Sequence, residues 1–102
     1  MQTYQQLQLD ALGDVTRRAL LDRLRTGPLP VGELAKGLPI SRPAVSQHLR
    51  ILKQAHLVDL QTVGTRNYYR IDPEGLAAVR RYFDEFWNEA LEAFKAKAEE
   101  KE

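Results

Sequence analysis

Hydrophobic residues recur every three or four positions over most of the chain, which is the spacing of one buried face on an α-helix. This spacing predicts five helices, at residues 3–12, 15–25, 30–38, 41–55 and 73 to about 101. Asp14, Ser41 and Asp72 are expected to cap the second, fourth and fifth of these helices. Residues 58–63 instead alternate between apolar and polar positions, and a β-rich run, 68–71, follows the turn 64–67. These two runs predict a β-hairpin. The chain is therefore expected to form one mainly α-helical domain, residues 1–102, with a hairpin before the last helix.

The fourth helix, residues 41–55, has two sides of different chemistry. One side is apolar and holds Ala44, Val45, His48, Leu49, Ile51, Leu52 and Ala55. The other side has three cations, one serine and two carboxamides but no acid, contributed by Arg42, Pro43, Ser46, Gln47, Arg50, Lys53 and Gln54. A solvated face usually mixes both signs, because opposite charges four residues apart stabilise a helix. An acid-free face suits the phosphates and base edges of duplex DNA, although a surface helix can also lack acids by chance.

The third and fourth helices are joined by a turn of about three residues, which is the pattern of a helix-turn-helix. The hairpin that follows carries Arg66 near its tip, so residues 63–68 are interpreted as a wing that contacts the DNA backbone or minor groove. The alternative is a solvated turn. Ser46 and Gln47 are expected to face base edges, and Lys53 to contact phosphate. The complete set predicted to contact double-stranded DNA is Ser41, Arg42, Ser46, Gln47, Arg50, Lys53 and Arg66.

The charge distribution supports a nucleic-acid partner. Residues 17–70 contain ten Lys and Arg against three Asp and Glu, a net charge of +7. Residues 1–16 carry −2 and residues 71–102 carry −4. A local basic segment is the electrostatic footprint of a nucleic-acid binder. Within it, the second helix is expected to expose four arginines to solvent or to a phosphate: Arg17, Arg18, Arg23 and Arg25.

The last helix carries an apolar arc that covers nearly half of its circumference and includes five aromatic residues. A domain of this size offers little core to cover such an arc, so the surplus predicts a homodimer. Complete burial within the monomer and a ligand cleft are the alternatives. One of Tyr82 and Phe83 is expected to turn toward the core of its own monomer. The residues predicted at the dimer interface are Leu7, Phe83, Phe86, Trp87, Ala90, Leu91 and Phe94.

Composition excludes several classes of protein and site. The chain has no cysteine, which excludes disulfides, thiolate metal sites and cysteine nucleophiles. It has no nucleophile motif, no glycine loop for phosphate and no carboxylate pair on an apolar groove, so neither an enzyme nor a cofactor is expected. There is no apolar run of membrane-spanning length and no signal-peptide pattern, so no membrane association is expected and a cytoplasmic location is predicted.

The stretch SRPAVSQHLRILKQAHLVDLQTVGTRNYYRI resembles the recognition helix and wing of the ArsR-type (arsenical-resistance repressor) family of bacterial transcription regulators. The upstream run ALGDVTRRALLDRL resembles the opening helices of that family. The resemblance implies a winged helix-turn-helix fold and terminal helices that dimerise. It also implies a homodimeric repressor that reads a palindromic operator with residues 41–55 and 63–68.

The chain departs from this family at its metal sites. The arsenic and cadmium sensors carry two cysteines on the helix before the recognition helix, where this chain has Pro30 and Gly32. The zinc and nickel sensors use histidines on the last helix, which here has none. His48 and His56 are expected to be structural, so no metal site is predicted and any ligand is unknown. A winged-helix protein-interaction module, and a metal- or small-molecule-responsive repressor with a non-standard sensing site, remain as alternatives. Steep salt dependence would distinguish a DNA-binding protein from the interaction module.

Overall fold

The computed structural model describes residues 3–100 and contains the predicted succession of helices and hairpin. The helices are α1 (Tyr4–Leu12), α2 (Val15–Arg23), α3 (Val31–Ala35), α4 (Arg42–Gln54) and α5 (Pro73–Glu99). The antiparallel strands β1 (Val58–Val63) and β2 (Arg66–Ile71) form the hairpin. The mainly α-helical fold with a β-hairpin wing is therefore confirmed.

Side-chain caps begin four of the helices. Thr3 and Gln6 form a reciprocal capping box at α1, in which each side chain accepts the other residue's amide N–H. The three caps expected from the sequence are confirmed: Asp14 for α2, Ser41 for α4 and Asp72 for α5. Each of these side chains accepts an amide N–H that the first helical turn would otherwise leave without an acceptor.

The boundaries of three elements differ from the prediction. Helix α2 ends at Arg23 and continues as a 3₁₀ turn, Leu24–Thr26, whereas α3 has only five residues. Strand β2 begins at Arg66, two residues earlier than predicted, because Val63 pairs directly with Arg66 across a two-residue turn. Gly64 occupies that turn with a φ of 65°, a conformation that glycine adopts without steric cost.

Helix α4 lies at the centre of the hydrophobic core. Val45, Leu49 and Leu52 on its apolar side are fully buried. They belong to one cluster with residues from the other elements, including Leu20, Leu34, Leu57, Val58 and Val79. His48, also on this side, is half-buried and lies 3.3 Å from Arg17 Nη1 through its Nδ1, so the structural role expected for it is confirmed.

The prediction that the α2 arginines face solvent is wrong for two of the four, since Arg17 and Arg23 are half-buried, whereas Arg18 and Arg25 are exposed. Arg17 donates to the carbonyls of Asp10 and Ala11, Arg18 to that of Leu12, and Arg23 to those of Leu34 and Lys36. These carbonyls lie at the ends of α1 and α3, where a helix leaves its last acceptors unpaired. The arginines thus join neighbouring helices, and Arg25 alone of the four is paired only with a surface acid, Asp22.

Helix α5 extends well beyond the core. Its first two turns bury Gly75 and Val79, but most of its side chains from Arg80 onward are exposed. Tyr82 is half-buried by ring contacts with Phe83 and Phe86 on the same helix. Within residues 3–100, neither Tyr82 nor Phe83 packs against the core cluster, so the expectation that one of them turns inward is wrong. No helix in this range is long and apolar enough to cross a membrane.

Candidate nucleic-acid interface

The acid-free side of α4 lies on the protein surface. The structure exposes Ser41, Arg42, Gln47, Arg50 and Lys53, and leaves Ser46 half-buried between them and the core. The buried apolar side fixes this orientation, because rotating α4 would take Leu49 and Leu52 out of the core. Six of the seven predicted DNA-contacting residues thus share one exposed surface, named here the α4 polar face.

Hydrogen bonds already orient part of the α4 polar face. Arg50 Nη1 donates to Gln47 Oε1 at 3.1 Å, which leaves the Gln47 amide group free to donate outward. The Ser41 hydroxyl accepts the amide N–H of Ala44 at 3.3 Å and so holds the first turn of α4. A guanidinium and a carboxamide presented together provide several donors and an acceptor, which is the chemistry that reads base edges in the major groove.

The wing is attached to the helical part of the protein beside α3. Leu29 and Tyr69 exchange two backbone hydrogen bonds, each 2.9 Å long, which join β2 to the segment before α3. This attachment brings Arg66, the seventh predicted residue, to the N-terminal end of α4. Arg42 and Arg66 line one cleft of about 370 Å³ together with Pro30, Val31, Gly32, Glu33 and Asn67.

The cations at this surface are largely free of internal partners. Arg70 Nη2 donates to Asp59 Oδ2 at 3.1 Å, and this hydrogen bond holds the pKa of the Asp59 carboxyl below its ordinary range. Arg42, Lys53 and Arg66 have no carboxylate within ion-pair distance among the residues that the structure describes. The surface formed by the α4 polar face and the wing is therefore positively charged and available to an anionic partner.

The sequence did not indicate that Gly32, Glu33 and Asn67 lie beside Arg42. Their proximity depends on the bridge between Leu29 and Tyr69, which are 40 positions apart. The β-rich character of residues 68–71 was visible, but a single paired residue before α3 gives no periodic signal. The sequence pattern could therefore not predict that the wing contacts α3.

The two histidines lie on different parts of the protein. His48 is on α4 beside Arg17, and the exposed His56 lies after α4, where its ring stacks at 4.9 Å against Tyr4. Within residues 3–100, there is no group of three His, Cys, Asp or Glu side chains placed to hold a metal ion.

The chain is similar in sequence to proteins of known class. Residues 14–59 match the bacterial regulatory protein, arsR family. The HTH-type transcriptional regulator Rv2034 of Mycobacterium tuberculosis (strain ATCC 25618 / H37Rv) is 58% identical over 84 residues, which cover 82% of this chain and 78% of the relative. The transcriptional repressor SdpR of Bacillus subtilis (strain 168) is 40% identical over 62 residues, covering 61% and 69% of the two chains.

Solved structures with a similar fold point to the same class of protein. The crystal structure of a possible transcriptional regulator for arsenical resistance superposes with a TM-score of 0.72 at 44% identity, covering 88% of this chain and 94% of that one. The homodimeric winged helix-turn-helix DNA-binding domain Mb0332 of Mycobacterium bovis, solved by NMR, gives a TM-score of 0.64 at 31% identity, covering 84% and 80%. With its fold and its relatives in agreement, the chain belongs to the arsR family of bacterial regulatory proteins, which are transcriptional regulators and not enzymes.

Proposed function

We propose that this protein is a homodimeric repressor in the cytoplasm that binds double-stranded DNA of specific sequence, and that residues 1–102 act as one DNA-binding domain. The observation that carries the proposal is the α4 polar face, which is exposed, free of acid and continuous with the basic wing. Such a surface supplies the electrostatic affinity for phosphates and the hydrogen-bonding groups for base recognition.

Each part of the surface has its own role in this proposal. Helix α4 enters the major groove, where Ser46 and Gln47 read base edges and Arg50, hydrogen-bonded to Gln47, contacts a base or a phosphate. Lys53, at the C-terminal end of the same face, contacts a phosphate. Ser41 holds the first turn of the helix, and Arg42 and Arg66 contact the backbone on the side of the wing.

The dimer follows from the apolar face of α5. Trp87 is 66% exposed and Phe94 is 72% exposed, and Phe83, Phe86 and Leu91 lie exposed on the same helix. Large aromatic side chains bury about 150–250 Å² each when covered, so an exposed series of them marks an interface. Ala90 lies among them, and Leu7 of α1, which is half-buried against the core, lies at the edge of the proposed interface.

Two-fold symmetry then determines the form of the DNA site. A dimer that reads two successive turns of the major groove places its recognition helices about 34–36 Å apart. The proposed operator is therefore a palindrome with half-sites one helical turn apart, because a symmetric protein contacts both halves in the same way.

Selection of bound duplexes from a random pool tests this function. We expect enrichment of a palindromic sequence whose half-sites are about one turn apart, and binding that weakens steeply as salt rises. The absence of any enriched sequence would contradict the function, and an enriched site without two-fold symmetry would contradict the dimeric mode of reading.

A further inference from the structure

The cleft between α3, α4 and the wing brings together two arginines that are 24 positions apart in the sequence. Arg42 comes from the first turn of α4 and Arg66 from the first position of β2. Neither has a carboxylate within ion-pair distance among residues 3–100, although Glu33 also lines the cleft. Two guanidinium groups at one cleft of about 370 Å³ form a site for an anion.

The protein fixes the walls of this cleft before any ligand arrives. Two backbone hydrogen bonds between Leu29 and Tyr69 hold the wing against the segment that leads into α3. Arg42 lies over α3 so closely that a Cβ on Gly32 would be 3.5 Å from its Nη2 atom. The walls of the cleft therefore need little rearrangement when an anion binds, which reduces the entropy lost on binding.

Asn67 and Glu33 complete the cleft with opposite effects. Asn67 Oδ1 accepts the hydroxyl of Thr62 at 2.9 Å, which leaves the Asn67 amide hydrogens available to an anion. Glu33 lies 3.4 Å from Lys36 Nζ, an exposed contact that solvent screens, so its negative charge still opposes an anion in the cleft.

The chemistry of a DNA phosphodiester fits this site. Arginine is suited to phosphate because its planar, forked donors match the geometry of phosphate oxygens. Arg42 also belongs to the α4 polar face, so an anion in the cleft lies at the edge of the surface proposed to read bases. We propose that the cleft holds a single backbone phosphate, contacted jointly by Arg42 and Arg66, and that Glu33 limits its affinity. This proposal rests on the proposed DNA-binding function.

The phosphate is located by neutralising one phosphate at a time. In the duplex selected from the random pool, each phosphate is replaced in turn by an uncharged methylphosphonate, and the dissociation constant is measured for wild type, Arg42→Ala, Arg66→Ala and Lys53→Ala. We expect one position in each half-site where the replacement weakens wild type on the order of tenfold, as for the loss of a charged hydrogen bond. Arg42→Ala and Arg66→Ala should both become much less sensitive at that same position, while the control Lys53→Ala keeps the wild-type sensitivity there. Insensitivity of the two variants at different positions, or at none, would overturn the shared phosphate.

Salt dependence gives a second measurement that needs no operator. On a random-sequence duplex, the slope of log K against log salt falls by roughly 0.9 for each phosphate that is no longer neutralised. The double variant Arg42→Ala/Arg66→Ala should therefore lose about one slope unit, because both residues share one phosphate. A loss of about two slope units would assign them two separate phosphates and overturn the proposal.

Glu33→Gln tests the opposing charge. It should strengthen binding to selected and random duplexes alike, by roughly two- to threefold, as expected for removing a screened surface repulsion. The matched control is Asp22→Asn, an exposed acid on α2 that is paired with Arg25 and lies outside the cleft; it should leave DNA binding unchanged. Unchanged or weakened binding by Glu33→Gln would contradict its role.

A titration with inorganic phosphate distinguishes a free ligand from the DNA backbone. Saturable binding at micromolar phosphate that is lost in Arg42→Ala would assign the cleft to a free phosphate ligand and overturn the proposal. The outcomes also distinguish failure of the proposed DNA-binding function from failure of the shared phosphate. If the wild-type protein selects no sequence, the proposed function fails, whereas selective binding with unlinked arginines overturns only the shared phosphate.

Discussion

At the scale of single residues, Arg17 connects three helices. It donates from Nε to the Ala11 carbonyl at 2.7 Å, from Nη2 to the Asp10 carbonyl at 3.2 Å, and approaches His48 Nδ1 at 3.3 Å through Nη1. One planar guanidinium thus satisfies the end of α1 and contacts the half-buried side of α4. It links the helix proposed to lie at the edge of the dimer interface with the helix proposed to read DNA.

Arg17→Ala should lower the free energy of unfolding by about 1.5–3 kcal/mol, the usual cost of losing hydrogen bonds made by a charged group. Urea-induced unfolding followed by circular dichroism measures this change. Arg25→Ala is the matched control, because Arg25 has only an exposed ion pair of 3.8 Å with Asp22, and it should change stability by less than about 0.5 kcal/mol. Equal effects of the two variants would show that the Arg17 hydrogen bonds contribute little.

Asp14 makes the stability of α2 depend on pH. The hydrogen bond from the Arg17 amide, assisted by that from the Thr16 amide, holds the pKa of the Asp14 carboxyl below its ordinary value. Since this pKa is lower in the folded protein than in the unfolded chain, the stabilisation is complete above about pH 4. This stabilisation is lost as the pH falls through the pKa that the Asp14 carboxyl has in the folded protein.

Asp14→Asn should therefore flatten the pH profile below about pH 4, because asparagine is a comparable N-cap that does not titrate. The midpoint of urea unfolding, measured at pH 7 and at steps between pH 4 and pH 2, checks this. The pKa of Asp59, lowered by its hydrogen bond to Arg70, adds the same sign of pH dependence in both proteins. Parallel profiles for the variant and the wild type would contradict the role of Asp14.

The residue-level predictions from sequence were good where the chemistry is local. The cap role of Asp14 and the buried side of His48 follow from neighbours within a few positions, and the structure contains both. The partners of Arg17 could not be predicted, because His48 is 31 positions away and no periodicity links the two residues. Arginine on a helix surface is usually solvated, so the general rule pointed away from the contacts that the protein makes.

At the scale of elements, the start of α5 is pressed against the end of α4. His56 has a φ of 57°, and the amide of Leu57 donates back to the Leu52 carbonyl at 3.0 Å, which closes α4 with a left-handed residue. The carbonyl of His56 then lies against Gly75, where there is no space for a Cβ atom. Gln8 Nε2 donates to the Gly75 carbonyl at 3.0 Å, so α1, the end of α4 and α5 meet at this glycine.

Gly75→Ala should destabilise the protein by about 2 kcal/mol or more, because the new methyl group would overlap the His56 carbonyl and force the backbones apart. An alanine in a helix would otherwise be more favourable than glycine by roughly 1 kcal/mol, so the sign of the effect identifies the close approach. Thermal and urea unfolding measure it. Gly32→Ala is the control, since its Cβ would make only an ordinary contact with Arg42. Unchanged or increased stability of Gly75→Ala would contradict the packing described here.

The elements themselves were largely predictable, and their ends were not. Hydrophobic spacing identified the five α-helices, apolar–polar alternation and a β-rich run identified the two strands, and the caps fixed three of the starting points. The hairpin turn was predicted to be four residues long, because Arg66 and Asn67 are polar and have no β-rich neighbours before Tyr68. Cross-strand contacts decide the shorter turn: Thr62 bonds to Asn67, and Arg70 pairs with Asp59 on the facing strand.

At the scale of the whole molecule, α5 determines the shape. The described protein measures 65 × 32 × 28 Å, and the 27-residue α5 exposes nearly every side chain after its first two turns. The hydrophobic pattern of α5 could not predict which side of the helix faces its own core, because beyond Val79 hardly any core lies beside it. A helix with an aromatic face in this position is stable when a second copy covers that face.

Trp87→Glu should convert the dimer into a monomer, because it places a charge at the centre of the proposed interface. Sedimentation at micromolar concentration should give about 23 kDa for the wild type, twice the chain mass of 11.7 kDa, and the mass of one chain for the variant. Asn88→Glu adds the same carboxylate one position away on the polar side of α5 and should remain a dimer. A wild-type protein that sediments as a monomer would refute the dimer, and dissociation of both variants would show that the interface is not confined to the aromatic face.

The central claim, that the α4 polar face reads DNA sequence, is tested most directly by comparing two glutamines on one helix. The dissociation constants of wild type, Gln47→Ala and Gln54→Ala are measured on the selected duplex and on a scrambled duplex at one salt concentration. Gln47→Ala should weaken the binding free energy by about 1–3 kcal/mol on the selected duplex and hardly change it on the scrambled duplex, which is the result expected when a base contact is removed. Gln54→Ala, at the exposed C-terminal end of α4, should match the wild type on both. An equal loss on the two duplexes, or no loss on either, would contradict sequence reading by this face.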